Sequence, residues 1–163
     1  MVEINLRQED ARLVYLAVAY HLGRPGSELD PITKQPVEHG LAEVSRLLQP
    51  QLRLAVSRLF LNPNQASRLA SGMLGSITEL KAYPMLQPRA DGGGRRSSVP
   101  GFDRTLRHLY PEIDEDVETA LDLAERMLML KRRLDDELAA RPAEPPAAAE
   151  PLRHRRRFWP FGG

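Results

Sequence analysis

The chain has 163 residues, a mass of 18.4 kDa and a formal charge of +1, from 23 Lys and Arg against 22 Asp and Glu. That is the size of one domain with a short tail, and the balance excludes a strongly basic whole-protein field of the kind that coats nucleic acid. With no cysteine, disulfide staples, thiolate zinc sites, iron–sulfur clusters and cysteine nucleophiles are excluded too.

The charge is unevenly placed. Residues 1–140 hold 18 basic and 20 acidic side chains, and residues 141–163 hold five Arg and two Glu. A mildly acidic body therefore carries a basic tail. The cations are 20 Arg and only Lys34, Lys81 and Lys131, a GC-rich coding bias read as bacterial origin rather than function. Met1–Asp10 is polar and acidic, unlike a secretory leader. The longest apolar run, Leu13–Tyr20, is eight residues, where a membrane span needs about 20. The expected compartment is the cytoplasm, with the membrane periphery as the alternative.

In chain order, Val2, Ile4 and Leu6 alternate with polar residues. A lone strand would have no partner, so this reads as an irregular lead-in packed on a bundle. Arg7–Leu22 is apolar on nearly every side and belongs at the centre of that bundle. Gly23 and Pro25 stop it. A loop follows to Pro36, longer than the usual helix connection. Over 37–61, Leu41, Val44, Leu48, Leu52, Ala55 and Leu59 step by three and four. That unbroken stripe predicts one helix kinked at Pro50.

Asn62-Pro63-Asn64-Gln65 predicts a capped helix start. The helix runs to about Ala82 on Ala66, Leu69, Ala70, Met73, Ile77 and Leu80. Gly72 and Gly75 inside it imply a close approach, by another helix or by a ligand. Residues 84–100 read as irregular, with a mobile centre at 89–98. Gly101–Tyr110 predicts a short amphipathic helix with Phe102, Leu106, Leu109 and Tyr110 inward. The last helix is expected from Asp114 to Ala140, its acidic start suited to the helix dipole, with Asp122 and Arg126 as an i, i+4 pair. Its apolar face is two seams wide: Val117, Leu121, Ala124 and Leu128, then Ala120, Leu123, Met127, Leu130, Leu134 and Leu138. Residues 139–151 hold four prolines and six alanines, a semi-stiff, disordered linker.

Few residues point to chemistry. His21, His39, His108 and His154 show no metal-ligand spacing. His21 and His39 flank the first loop near Glu28, Asp30 and Glu38, which keeps open a small metal- or ligand-binding helical enzyme, though solvated loop-edge histidines are the simpler reading. Ser71 and Ser76 beside glycines lack a nucleophile-elbow pattern. Gly92–Gly94 followed by Arg95, Arg96, Ser97 and Ser98 could cradle an anion, but no Walker pattern is present. The acids at 112–118 and at 135–137 have sufficient structural reasons. No residue is expected to be catalytic, and no metal or cofactor is expected.

The tail is different. Arg153, Arg155, Arg156 and Arg157 are followed by Phe158, Trp159 and Phe161, behind a stiff linker where folding does not require them. Arginines attract an acidic surface, at about 1 kcal/mol each near anionic lipid. The aromatics suit a pocket on a protein or the interface of a bilayer.

The sequence thus predicts an all-α fold, an irregular bundle of four to five helices over 1–140, with a disordered linker and tail over 141–163. The expected function is a non-enzymatic interaction or adaptor protein whose tail docks a partner protein. The alternatives are an anionic membrane surface as the tail's target and, less favoured because the body is acidic, nucleic acid. Homo-oligomerisation through the body is also open.

Overall fold

The computed structural model describes residues 1–85 and 97–140. The elements are β1 (Val2–Arg7), α1 (Gln8–Leu22), α2 (Leu41–Leu48), β2 (Val56–Leu61), α3 (Pro63–Ala82), α4 (Pro100–Leu109) and α5 (Val117–Ala139). Short 3-10 turns lie at Gln49–Arg53, Tyr83–Met85 and Pro111–Asp114. The fold is a mostly helical bundle of five helices with one small two-stranded sheet. The expected mobile stretch at 89–98 falls largely outside the described residues, and the expected linker and tail at 141–163 do so entirely.

Helix α1 is the centre, as its all-round apolar surface requires. Leu13, Val14, Leu16, Ala17 and Val18 are completely buried, each larger side chain contributing about 1.5–3 kcal/mol. Around α1 pack α2, α3 and α4. Helix α5 lies mainly against α3 and closes the far side of the core.

The start of α3 follows its sequence. The Asn62 side chain accepts from the Gln65 amide at 2.7 Å, the Gln65 side chain accepts from the Asn62 amide at 2.9 Å, and Pro63 takes the first turn. The two glycines of α3 face helix α1, not a ligand. A Cβ on Gly72 would stand 2.8 Å from the Ala17 carbonyl oxygen, and one on Gly75 would run into the Tyr20 ring.

Two expectations fail together. The alternation at Val2, Ile4 and Leu6 is a strand, and its partner is the segment read as the end of the second helix. β1 and β2 pair antiparallel, from Val2 with Leu61 to Arg7 with Val56. Val2, Ile4, Leu6, Ser57, Leu59 and Leu61 face the core. Pro50 does not kink a helix. It sits in the 3-10 turn where α2 has ended, and Leu54 beyond it is extended. The stripe persisted because Leu41, Val44 and Leu48 are buried on α2 and Leu59 on the sheet. Leu52, Ala55 and Leu59 keep the steps of three and four, while the polarity of Ser57-Arg58-Leu59-Phe60-Leu61 does not alternate, so local spacing carried no strand signal against them.

The last helix starts later than expected. Pro111–Asp114 is a 3-10 turn, and the Asp116 side chain caps α5 by accepting from the Glu118 amide at 3.0 Å. Of the two apolar seams, the one through Ala120, Leu123, Met127, Leu130 and Leu134 is core. The other is only partly so: Ala124 is buried and Leu121 is exposed. Arg126 does not pair with Asp122. It reaches Glu9 on α1 at 3.5 Å, and Arg133 reaches Asp10 at 3.6 Å. These cations meet the acidic first turn of α1 across the bundle.

Replacing a helical glycine by alanine ordinarily stabilises a helix by about 1 kcal/mol. At Gly72 the obstacle is the backbone of α1, so Gly72→Ala is expected to destabilise the fold by about 1–2 kcal/mol net. At Gly75 the obstacle is a side chain that can swing aside, and Gly75→Ala should cost less. Urea denaturation of both variants checks the order. Equal losses, or a gain at Gly72, would show that the α1–α3 approach is looser than drawn.

Candidate functional site

The titratable residues of the first loop assemble into a strap. His21 is buried at the end of α1, and its Nε2 lies 2.8 Å from Glu28 Oε1. Glu28 Oε2 accepts from the Ala42 amide in the first turn of α2 at 3.4 Å. Arg68 on α3 donates to the Ser27 carbonyl at 2.6 Å and stands 3.8 Å from Glu28 Oε1. A side chain at Gly40 would overlap the Glu28 carboxylate. Glu28 thus ties the loop to α1, α2 and α3 at once. Asp30 closes its own turn by accepting from the Thr33 and Ile32 amides, which hold its carboxyl below the usual range.

His39 does not join this cluster. It faces outward in the left-handed backbone region, with φ 52°, and its Nδ1 lies 3.1 Å from Glu43. The two loop histidines therefore serve separate contacts. Among the described residues, no three His, Asp or Glu side chains converge in a way that could hold a metal ion.

A second cluster joins the end of α3 to α4. The Tyr83 hydroxyl donates to Asp114 Oδ1 at 3.0 Å. Arg107 lies 3.4 Å from Asp114 Oδ2 and 3.7 Å from the buried Asp103. Burial raises the Tyr83 pKa. Ser97 and Ser98, at the end of the stretch weighed and disfavoured as an anion cradle, both donate to Glu79 on α3, at 2.9 and 3.1 Å. These hydroxyls are tied to a carboxylate, and they anchor the start of α4. Ser76, the helical serine beside Gly75, donates to the Gly72 carbonyl at 2.8 Å.

The surface feature that sequence reasoning missed is the edge of the small sheet. The Gln8 amide donates to the Ala55 carbonyl at 3.1 Å. That bond extends the ladder and sets its phase. Leu6 with Ser57, Ile4 with Leu59 and Val2 with Leu61 then exchange hydrogen bonds. The amides and carbonyls of Val56, Arg58 and Phe60 point away from β1, and those of Glu3, Asn5 and Arg7 point away from β2.

The two outer edges are treated differently. On β1, Arg133 of α5 donates to the Asn5 carbonyl at 3.2 Å. On β2, no described strand pairs with the outer edge, and no described residue hydrogen-bonds the outward groups of Val56, Arg58 or Phe60. The side chains there are exposed too: Leu54 50%, Val56 62% and Phe60 51%. Arg58 stands between them, with only a 4.0 Å contact to Glu3 across the strand. An unpaired strand edge flanked by apolar side chains can template the addition of another strand, and this one has no described partner. The segment Val56-Ser57-Arg58-Leu59-Phe60-Leu61 alternates in burial but not in polarity, so only Val56 and Phe60, residues favoured in strands, stood against the helical stripe.

The tail residues Arg153, Arg155, Arg156, Arg157, Phe158, Trp159 and Phe161 lie outside the described residues. No described helix is long and apolar enough to cross a membrane. No protein-family model, no curated protein and no solved structure matches this chain.

Removing Glu28 strips partners from His21, Arg68 and the α2 amide together. Glu28→Ala is expected to lower stability by about 1–3 kcal/mol, and His39→Ala, at an exposed pair, by less than about 0.5 kcal/mol. Chemical denaturation of both would check this; comparable losses would remove Glu28 from its central position.

Tyr110 gives a pH prediction. Its hydroxyl is buried with no hydrogen-bond partner among the described residues, and burial, with Glu9 adding, pushes its pKa up to about 12. The folded state therefore holds the proton more tightly than the unfolded chain. Its contribution is fully present below the ordinary tyrosine pKa and is lost as pH rises from about 10 towards 12. Tyr110→Phe should be at least as stable at pH 8 and should lose less stability by pH 11. Urea midpoints across that range test it, and parallel curves for the two proteins would contradict it.

Proposed function

We propose that this chain is a non-enzymatic interaction protein that holds a partner protein by two contacts. One is the open edge of β2, which adds an extended segment of the partner as a third strand. The other is the basic-aromatic tail, with Arg153, Arg155, Arg156 and Arg157 drawn to acidic groups and Phe158, Trp159 and Phe161 seated in a pocket. The expected compartment is the cytoplasm.

The observation that carries the reading is the asymmetry of the sheet. Arg133 hydrogen-bonds the outer edge of β1, and the outward groups of Val56, Arg58 and Phe60 have no described partner. Exposed Val56 and Phe60 on either side of Arg58 favour a segment that alternates apolar and acidic residues. The clusters around Glu28 and Tyr83 support binding over catalysis, since their groups are engaged in holding elements together. The arginines and aromatics of the tail also favour a second target, an anionic membrane surface.

Arg58→Pro removes an outward amide that the fold does not use, and an edge strand tolerates proline at such a position. A labelled synthetic peptide alternating Val and Glu should bind the full chain, and Arg58→Pro should weaken it by about tenfold or more. Equal affinities would end the strand-addition reading. The tail is tested separately, by sedimenting the full chain and a version ending at Ala140 with anionic vesicles at low and high salt. Sedimentation that requires the tail would make lipid, not protein, its target.

A further inference from the structure

A cleft of about 310 Å³ lies between α1, the Gln49–Arg53 turn and the end of α4. Three nitrogen-bearing cationic or protonatable side chains reach it from three elements: Arg12, Arg53 and His108. No Asp or Glu lines it. Arg12 makes one contact outside the cleft, to Glu9 at 3.4 Å. Arg53 and His108 pair with no carboxylate among the described residues. The rest of the wall is the polar Gln49 and an apolar part from Tyr15, Leu52 and Leu109, these three packed against the core. That combination of a fixed apolar wall and a few convergent charged groups characterises small-molecule sites, and the volume is at their lower end.

The charge and geometry narrow the ligand. A guanidinium offers paired N–H donors that match phosphate and carboxylate oxygens. Two arginines balance a phosphate monoester, which carries about −1.5 to −2 at neutral pH. His108 and Leu109 come from the last turn of α4, where helix carbonyls disfavour an anion. The arginines must therefore supply most of the attraction. The apolar wall favours a ligand with a flat or alkyl group beside the phosphate.

We propose that this cleft binds a small phosphate monoester whose organic group is apolar. The phosphate sits between Arg12 and Arg53, with His108 as a secondary donor and the organic group against Tyr15, Leu52 and Leu109. A soluble metabolite and a monoester lipid headgroup share this chemistry.

The test uses the full chain and isothermal titration with phenyl phosphate and with inorganic phosphate. Phenyl phosphate should bind roughly tenfold more tightly than inorganic phosphate, because the ring gains the apolar wall. Arg53→Ala and Arg12→Gln should each weaken it by about tenfold, His108→Ala by less, and Arg132→Ala on α5 not at all. Arg53 is on an exposed turn, so its variant keeps the fold if Arg12→Gln does not. Vesicles of phosphatidylcholine with and without phosphatidic acid separate the sources. Binding to phosphatidic acid that Arg53→Ala abolishes, stronger than binding to phenyl phosphate, assigns a lipid headgroup; the reverse order assigns a soluble ester. The proposal is overturned if neither probe binds, if the two phosphates bind equally, or if both arginine variants bind as the unaltered chain does.

Discussion

The close approach of α3 to α1 at Gly72 sets the rest of this structure. With no side chain at that position, the backbone of α3 reaches the Ala17 carbonyl, and His21 packs directly over the same glycine. That contact decides where Arg68 on α3 stands relative to His21 on α1. Glu28 then has two groups to meet, and the first loop is drawn over the end of the helix pair. The same loop brings Glu28 to the first turn of α2. A larger residue at 72 would separate the helices, and the strap would lose its geometry along with the packing.

Long-range charge contacts organise the other half of the molecule. Helix α1 begins with Glu9 and Asp10, favourable at a helix start. Besides Arg12 on the same helix, which pairs with Glu9, their cationic partners come from α5, more than a hundred residues later in the chain. Arg133 makes two such contacts, to Asp10 and to the outward carbonyl of Asn5. Exposed ion pairs are individually weak. Their significance here is positional: they bring α5 over one edge of the sheet and leave the other edge of β2 without a described partner. Among the described residues one outer edge of the sheet is covered and the other is not, and that asymmetry is what supports the proposed strand addition.

The polar interior argues in the same direction. Buried or half-buried ionisable groups cluster at functional sites, but they also cluster where loops are fastened. In this protein the groups around Glu28 and around Tyr83 each join separate elements, and their hydrogen bonds fasten those elements together. Among the described residues, unused polar capacity lies inside at the Tyr110 hydroxyl and at His21 Nδ1, and at the surface on the edge of β2 and in the cleft of Arg12 and Arg53.

What the sequence by itself determined is local. The helical character of residues 8–22, 63–82, 100–109 and 117–139 followed from apolar periodicity, and the start of α3 followed from Asn62, Pro63 and Gln65, because caps and amphipathic faces act within a few residues. The implication of Gly72 and Gly75 was legible as a close approach, though not which element approached. Tertiary structure alone decided the sheet, since β1 and β2 are joined across some fifty residues and neither strand can be recognised as paired without the other. It also decided that Pro50 separates a helix from a turn and strand, that Arg126 turns to Glu9 instead of Asp122, and that Arg12, Arg53 and His108 share one cleft. Each depends on which distant groups the packed core brings within reach, and no local window contains that information.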